Sequence, residues 1–182
     1  MLDFDFMILN AIQTLRSDFL DVIMTVITYI GSTAFVWIIP GIALAVFKKT
    51  RKSGIVILLS IALVQIFGSG LIKHIVMRPR PFNMPQGLLT AADLIVSPPM
   101  GLYSFPSSHA GTAFAAAMSI FFINRKCGIW AFVLAALIGL SRLYLYVHFT
   151  TDVICGAALG VGCAFLARWL VRLLSDKFSK TL

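Results

Sequence analysis

The chain has 182 residues, of which 59% are hydrophobic and 12% are charged, and its mean hydropathy is +0.95. Soluble domains are about 45–50% apolar and about 25% charged, so this composition excludes a soluble globule, a disordered tail and a coiled coil. It indicates an integral membrane protein whose residues 1–182 form a single domain. The net charge is +8, but the basic residues flank apolar runs rather than forming one stripe, so we expect no nucleic-acid partner.

The apolar runs predict an all-α integral membrane helical bundle. Residues 1–17 alternate polar and apolar side chains, which suits a helix lying on the bilayer surface. About 20 helical residues cross the roughly 30 Å hydrocarbon core, and five later runs are long enough or nearly so. These runs are residues 22–47, 53–72, 110–123, 129–146 and 153–174. In the first run Gly31-Ser32 and Pro40 predict a kink or break. We therefore expect about five spans and one N-terminal interfacial helix.

One long loop interrupts this pattern between the second and third predicted spans. Residues 74–106 hold six of the seven prolines, and proline stops helices. A loop of this length in a compact domain is usually functional or disordered. The basic segments 48–52, 125–126 and 172–180 all fall on the other side of a five-span bundle. The positive-inside rule then predicts a multi-pass membrane protein with the proline-rich loop facing outside.

Small residues and cysteines carry no predicted chemistry. Gly156, Gly160 and Ala164 recur every four residues, a spacing that lets helices approach closely, so we interpret them as packing residues. The three cysteines show neither disulfide nor zinc-site spacing. They are Cys127, Cys155 and Cys163.

Ionisable residues collect at the predicted outer face. Such groups at the ends of membrane segments usually face a cavity and mark a functional site. They comprise three cations, two imidazoles and one carboxylate: Lys73, Arg80, Arg142, His109, His148 and Asp152. Three cations with one acid would repel a metal ion, so we predict neither a metal nor a cofactor. Guanidinium groups bind phosphate oxygens in a forked geometry, and the set therefore predicts an anion site.

The two histidines have separate sequence contexts. His148 and Asp152 are four residues apart, so on a helix they lie on one face, where the carboxylate can fix the imidazole tautomer. His109 follows Ser107 and Ser108 at the start of a predicted span. Hydroxyl groups and free amides at a helix N-terminus suit a bound phosphate.

These residues form three ordered motifs that resemble the type 2 phosphatidic acid phosphatase superfamily. Its KxxxxxxRP motif matches Lys73 to Pro81, and its PSGH motif matches residues 106–109, with Ser108 in the glycine position. Its SRxxxxxHxxxD motif matches Ser141 to Asp152 completely. Arg78 forms a second RP pair outside the motif spacing, and we interpret it as a headgroup or pocket-rim contact.

The resemblance implies a metal-independent lipid phosphatase. In this family pattern His148 would attack phosphorus, and Asp152 would orient the His148 imidazole. His109 would protonate the leaving oxygen. The phosphate-binding residues implied are Lys73, Arg80, Ser107, Ser108 and Arg142.

Three alternatives remain open from the sequence. The chain resembles the short bacterial undecaprenyl-diphosphatase-like members of the family, which implies a bacterial plasma membrane and undecaprenyl diphosphate as the substrate. The second candidate is phosphatidic acid or phosphatidylglycerophosphate. The protein could instead be a lipid phosphotransferase, which shares the histidine nucleophile. A non-enzymatic lipid or anion transporter would explain Arg142 within a span, but not two histidines with a carboxylate partner. The sequence does not specify an oligomeric state.

Overall fold

The computed structural model describes residues 2–32, 35–99 and 101–179, and every regular element in these ranges is helical. The long elements are α1 (Leu2–Gln13), α2 (Asp18–Ser32), α3 (Phe35–Val46), α4 (Arg51–Val64), α6 (Ser108–Phe121), α7 (Arg125–Tyr144) and α8 (Thr150–Ser179). After α4 the chain continues as a π-helix (Gln65–Ile72) and the short α5 (Lys73–Val76). The all-α membrane bundle predicted from the sequence is confirmed. Two 3₁₀ turns, Pro81–Asn83 and Ala91–Asp93, lie within the proline-rich loop.

Four helical stretches of the described chain are long and apolar enough to cross a membrane. They are Asp18–Val46, Arg51–Val76, Arg125–Tyr144 and Thr150–Asp176. The predicted break in the first of them falls next to residues 33 and 34, which lie outside the described residues. Helix α6, the counterpart of the predicted third span, has 14 residues, or about 21 Å. The count of five spans is therefore not confirmed by helix length.

Helix α6 nevertheless connects the two ends of the bundle. It packs against α4, α7 and α8, and most of its side chains are buried. Beyond its C-terminal end, Ile123 shares a pocket with Lys52 and Arg172. Lys52 and Arg172, from two of the three basic segments, therefore lie together at the end of the bundle opposite Ser107. The third segment, residues 125–126, follows Ile123 at the same end.

Helix α8 lies unusually close to α6 because glycines face the contact. A Cβ atom at Gly160 would overlap the carbonyl oxygen of Gly111, and one at Gly156 would overlap that of Ser107. The interpretation of Gly156 and Gly160 as packing residues agrees with this geometry. The contact fixes α8 against the start of α6, where the second motif lies.

Replacement of Gly160 by leucine should destabilise the bundle. The added side chain must displace the α6 backbone, and overpacking of this kind costs about 1–3 kcal/mol. We expect a lower unfolding midpoint in detergent by fluorescence-detected thermal melting. Gly162→Leu is the matched control on the same helix, because nothing lies within 4 Å of a Cβ atom at Gly162. Equal midpoints for both variants would contradict the close α6–α8 contact.

Helix α1 forms where the sequence predicts it, but one of its faces packs into the bundle. Asp5 and Gln13, two of the polar residues that suggested a surface helix, are buried. The Gln13 amide donates a 3.0 Å hydrogen bond to the carbonyl oxygen of Tyr144, at the end of α7. Polar partners within the protein thus bind Asp5 and the Gln13 amide nitrogen, whereas Gln13 Oε1 has no hydrogen-bond partner among the described residues.

Candidate active site

A cavity of about 340 Å³ lies where α2, α6, α7 and the proline-rich loop meet. His109 and Arg142 line it from α6 and α7, and Thr28 lines it from α2. The loop contributes a wall that includes Val96 and Pro99. The long loop therefore covers part of the site that the sequence motifs predict.

Lys73 reaches the site from the end of a π-helix. Its Nζ lies 3.4 Å from Ser108 Oγ, and Ser108 Oγ lies 2.8 Å from Ser69 Oγ. The serine in the motif's glycine position therefore contacts the lysine of the first motif. The π-helix Gln65–Ile72 was not predicted from the sequence. Such segments are rare and frequently occur at functional sites, because they rotate the residues that follow them.

Arg80 is fixed by two backbone carbonyl groups. Its Nε donates to Gly101 O at 2.8 Å, and its Nη1 donates to Val147 O at 2.9 Å. These bonds join the first motif to the segment just before His148. Burial lowers the pKa of Arg80 to about 10, so its guanidinium remains positively charged at neutral pH.

Arg142 is buried within the bundle, and α2 supplies its partner. Its Nη1 donates a short hydrogen bond to Thr28 Oγ1, while its Nε has no hydrogen-bond partner among the described residues. A buried guanidinium with unused donor capacity favours an anionic ligand. Sequence reasoning missed Thr28, because nothing in its apolar surroundings distinguishes it from Thr25.

His148 and Asp152 meet, but not on one helix face as predicted, because His148 lies in the turn before α8, which begins at Thr150. His148 Nδ1 lies 3.5 Å from Asp152 Oδ2, and it has no hydrogen-bond partner among the described residues. The imidazole is buried. Burial lowers the pKa of His148 well below its usual value, and the three nearby cations lower it further. The ring is therefore neutral at neutral pH, with one nitrogen available as a nucleophile.

Backbone contacts connect the second and third motifs. The amide of Ser107 donates to the carbonyl oxygen of Asp152 at 3.0 Å. Ser107 also begins α6, because its Oγ accepts from the amide of Ala110 at 3.5 Å. His109 lies within electrostatic range of His148 and of the three cations. The eight predicted site residues thus come together from α5, α6, α7, α8 and the connecting loops.

Arg78 differs from the sequence interpretation. The sequence predicts a headgroup or pocket-rim contact, and Arg78 does line an apolar pocket with Val76 and Phe105. Its side chain is only 13% exposed, however, and pairs with two carboxylates. Its Nη1 lies 2.8 Å from Asp152 Oδ1, and its Nη2 lies 2.7 Å from Asp5 Oδ2. These two buried acids attract the guanidinium inward, which the sequence interpretation did not include. A carboxylate within an apolar helix, such as Asp5, is the sequence signal that could have indicated this role.

The arrangement is chemically that of an anion site with a nucleophile. Three cations and a second histidine lie within electrostatic range of the buried imidazole of His148, and two of these groups, Arg142 and His109, line the cavity. The carboxylates are already paired with Arg78. No group of three potential metal ligands occurs in residues 2–32, 35–99 and 101–179. Guanidinium and ammonium donors of this kind suit the oxygens of an anion such as phosphate.

These features define a membrane helical bundle with a cluster of cations and histidines at one end. A model of the PAP2 superfamily matches residues 53–176, and the chain belongs to that superfamily. An undecaprenyl-diphosphatase of Sulfolobus acidocaldarius is 32% identical over 137 residues, which cover 73% of this chain and 62% of that protein. Phosphatidylglycerophosphatase B of Bacillus subtilis is 29% identical over 87% of this chain and 79% of its own length.

Solved structures show the same fold. A transmembrane PAP2-type phosphatidylglycerolphosphate phosphatase from Bacillus subtilis superimposes with a TM-score of 0.73 at 29% identity. The superposition covers 97% of this chain and 86% of that one. LpxE of Aquifex aeolicus gives a TM-score of 0.71 at 28% identity, over 88% and 92% of the two chains.

Replacement of Arg80 by lysine should weaken anion binding. Lysine keeps the charge, but it cannot bond two carbonyl oxygens and a ligand together in the forked geometry. Loss of a hydrogen bond to a charged group costs about 1.5–3 kcal/mol, so we expect orthovanadate to bind at least about tenfold more weakly by calorimetry. Arg125→Lys, at the exposed start of α7, should bind orthovanadate like the unmodified protein. Unchanged affinity in Arg80→Lys would remove Arg80 from the anion site.

Proposed function

We propose that this protein is a metal-independent lipid phosphatase that acts through a phosphohistidine at His148. The observation that carries the proposal is the buried, neutral imidazole of His148 beside both Asp152 and a cluster of three cations. Phosphoryl transfer needs a positioned nucleophile and positive charge around the equatorial oxygens, and it needs little else from the protein. The site offers both.

The proposed reaction has two steps. In the first, the His148 nitrogen facing away from Asp152 forms a bond to phosphorus while the bond from phosphorus to the lipid oxygen breaks. That oxygen leaves with the proton of a His109 imidazolium, the form that the negative charge of the bound phosphate favours. In the second, His109 takes a proton from water, which attacks the phosphohistidine and releases inorganic phosphate. Asp152 stabilises the positive charge that develops on the imidazole in the first step.

The phosphate oxygens are assigned to five groups on the cavity side of His148. Lys73, Arg80 and Arg142 supply positive charge, and the hydroxyl groups of Ser107 and Ser108 lie at the start of α6. A helix N-terminus favours bound anions because its first amides lack carbonyl partners. Ser108 also contacts Lys73, so it would orient that cation as well.

We propose undecaprenyl diphosphate as the substrate, with undecaprenyl phosphate and phosphate as the products. The similarity to the Sulfolobus undecaprenyl-diphosphatase supports this choice. Phosphatidylglycerophosphate is the alternative, favoured by the nearly complete superposition on the Bacillus phosphatase. In both lipids the phosphate lies at the bilayer surface, and the tail remains in the membrane.

Replacement of His148 by alanine should abolish phosphate release, because no other group in the site can accept the phosphoryl group. The assay measures phosphate released from a panel of purified lipid phosphates in the presence of a chelator. The unmodified protein should also trap an acid-labile ³²P label on His148. His74→Ala, which changes an exposed histidine of α5, is the matched control.

The outcomes separate the rival functions. Activity in His148→Ala, or loss of wild-type activity on chelation, would contradict the proposed mechanism. A protein that binds lipid phosphates without releasing phosphate would be a transporter. Transfer of the label to an added alcohol rather than to water would indicate a phosphotransferase. The lipid with the highest kcat/KM in the panel decides between the two proposed substrates.

We further propose that the site faces the outside of a bacterial plasma membrane. The gathering of the basic segments at the opposite end of the bundle supports this orientation under the positive-inside rule. In intact cells, a cysteine at the exposed Asn83 should react with a membrane-impermeant thiol reagent, and one at the exposed Lys49 should not. The background lacks the three native cysteines. The reverse labelling pattern would place the site in the cytoplasm.

A further inference from the structure

A buried ion-pair cluster connects the N-terminal helix to the site. Asp5 of α1 and Asp152 of α8 are both completely buried, and Arg78 lies between them. Arg78 contacts each carboxylate through a different terminal nitrogen, at 2.7 Å and 2.8 Å. Asp5 precedes the segment that matches the PAP2 family model, which begins at residue 53. The family match therefore omits one member of the cluster.

Further contacts fix the geometry of this cluster. Asp5 Oδ1 accepts from the amide of Thr151 at 3.0 Å, and Asp5 Oδ2 accepts from the Thr151 hydroxyl at 2.7 Å. The Arg78 guanidinium lies 3.9 Å above the centre of the Phe149 ring. The Phe149 amide also donates a hydrogen bond to Asp152 Oδ2 at 2.9 Å, and the rings of Phe6 and Phe149 pack edge to face. Both oxygens of the Asp152 carboxylate thus accept a hydrogen bond, Oδ1 from Arg78 and Oδ2 from the Phe149 amide.

The charges explain why two acids share one base. A guanidinium paired with Asp152 alone would neutralise much of the negative charge that His148 requires. Asp5 competes for Arg78, so Asp152 keeps part of its charge while Arg78 still orients it. The effect of a charge is large in a buried, weakly screened environment.

We propose that Asp5 and Arg78 are positioning residues that act on the reaction through Asp152. The proposal rests on the proposed function, because it assigns Asp152 to the stabilisation of charge on His148. Neither residue contacts the cations that hold the phosphate in that scheme. Their loss should therefore slow phosphoryl transfer and leave substrate binding almost unchanged.

Asp5→Asn tests this role, because it replaces one carboxylate oxygen by an amide nitrogen and so removes the negative charge of the side chain. We expect kcat to fall by about tenfold and KM to stay within twofold. A loss of about this size is typical when the residue that orients an active-site side chain is removed. Arg78→Lys, which keeps the charge but cannot bond both carboxylates in the forked geometry, should lower kcat similarly. Asp3→Asn is the matched control, because Asp3 lies exposed on the same helix, and Arg125→Lys is the control for arginine.

A double-mutant cycle separates positioning from general structural support. In an Asp152→Asn background, Asp5→Asn should change the single-turnover rate of phosphoenzyme formation by less than twofold, since Asp152 carries the effect. The same tenfold loss in both backgrounds would overturn the proposal. A rise in KM with unchanged kcat would also overturn it.

The cycle also distinguishes this proposal from the proposed function. If His148→Ala remains active or no phosphoenzyme forms, the function itself fails. If His148→Ala is inactive while Asp5→Asn and Arg78→Lys both match the unmodified protein, only the positioning role fails.

Discussion

The close approach of α8 to α6 is the constraint on which the site depends. Gly156 lies against the carbonyl oxygen of Ser107, one helical turn after Asp152. The same approach lets the Ser107 amide reach the Asp152 carbonyl oxygen. A side chain larger than glycine would separate the second motif from the third, and His109 would move away from His148. The helix pair is therefore part of the site as much as the charged residues are.

The motif residues were predictable because their chemistry is local. The four-residue spacing of His148 and Asp152 predicts their contact. The anion site with a nucleophile stays a prediction, which rests on the chemistry of residues from three separate motifs. Helix lengths were less predictable, since apolar runs show where a segment is buried but not where it ends. The run at 110–123 has the same length as α6, but the helix begins two residues earlier, at Ser108, and ends at Phe121.

The supporting contacts could not be predicted, since they join residues far apart in the chain. Thr28 meets Arg142, and Asp5 meets both Arg78 and Thr151, across more than seventy positions in each case. A polar residue in an amphipathic helix can face water or protein, and the pattern of residues 1–17 does not distinguish the two. The π-helix before Lys73 is similarly invisible, because its residues would also fit a regular α-helix.

The shortness of α6 also has an electrical consequence. Polar groups lie at both ends of this helix. Ser107 and His109 lie at its N-terminal end, and the pocket that contains Lys52, Arg168 and Arg172 lies beyond its C-terminal end. The apolar layer between them is about 21 Å thick along α6, compared with about 30 Å for a bilayer core. A membrane voltage would fall mainly across this thinner layer, so the field along the centre of the bundle would exceed that in the surrounding lipid by nearly half.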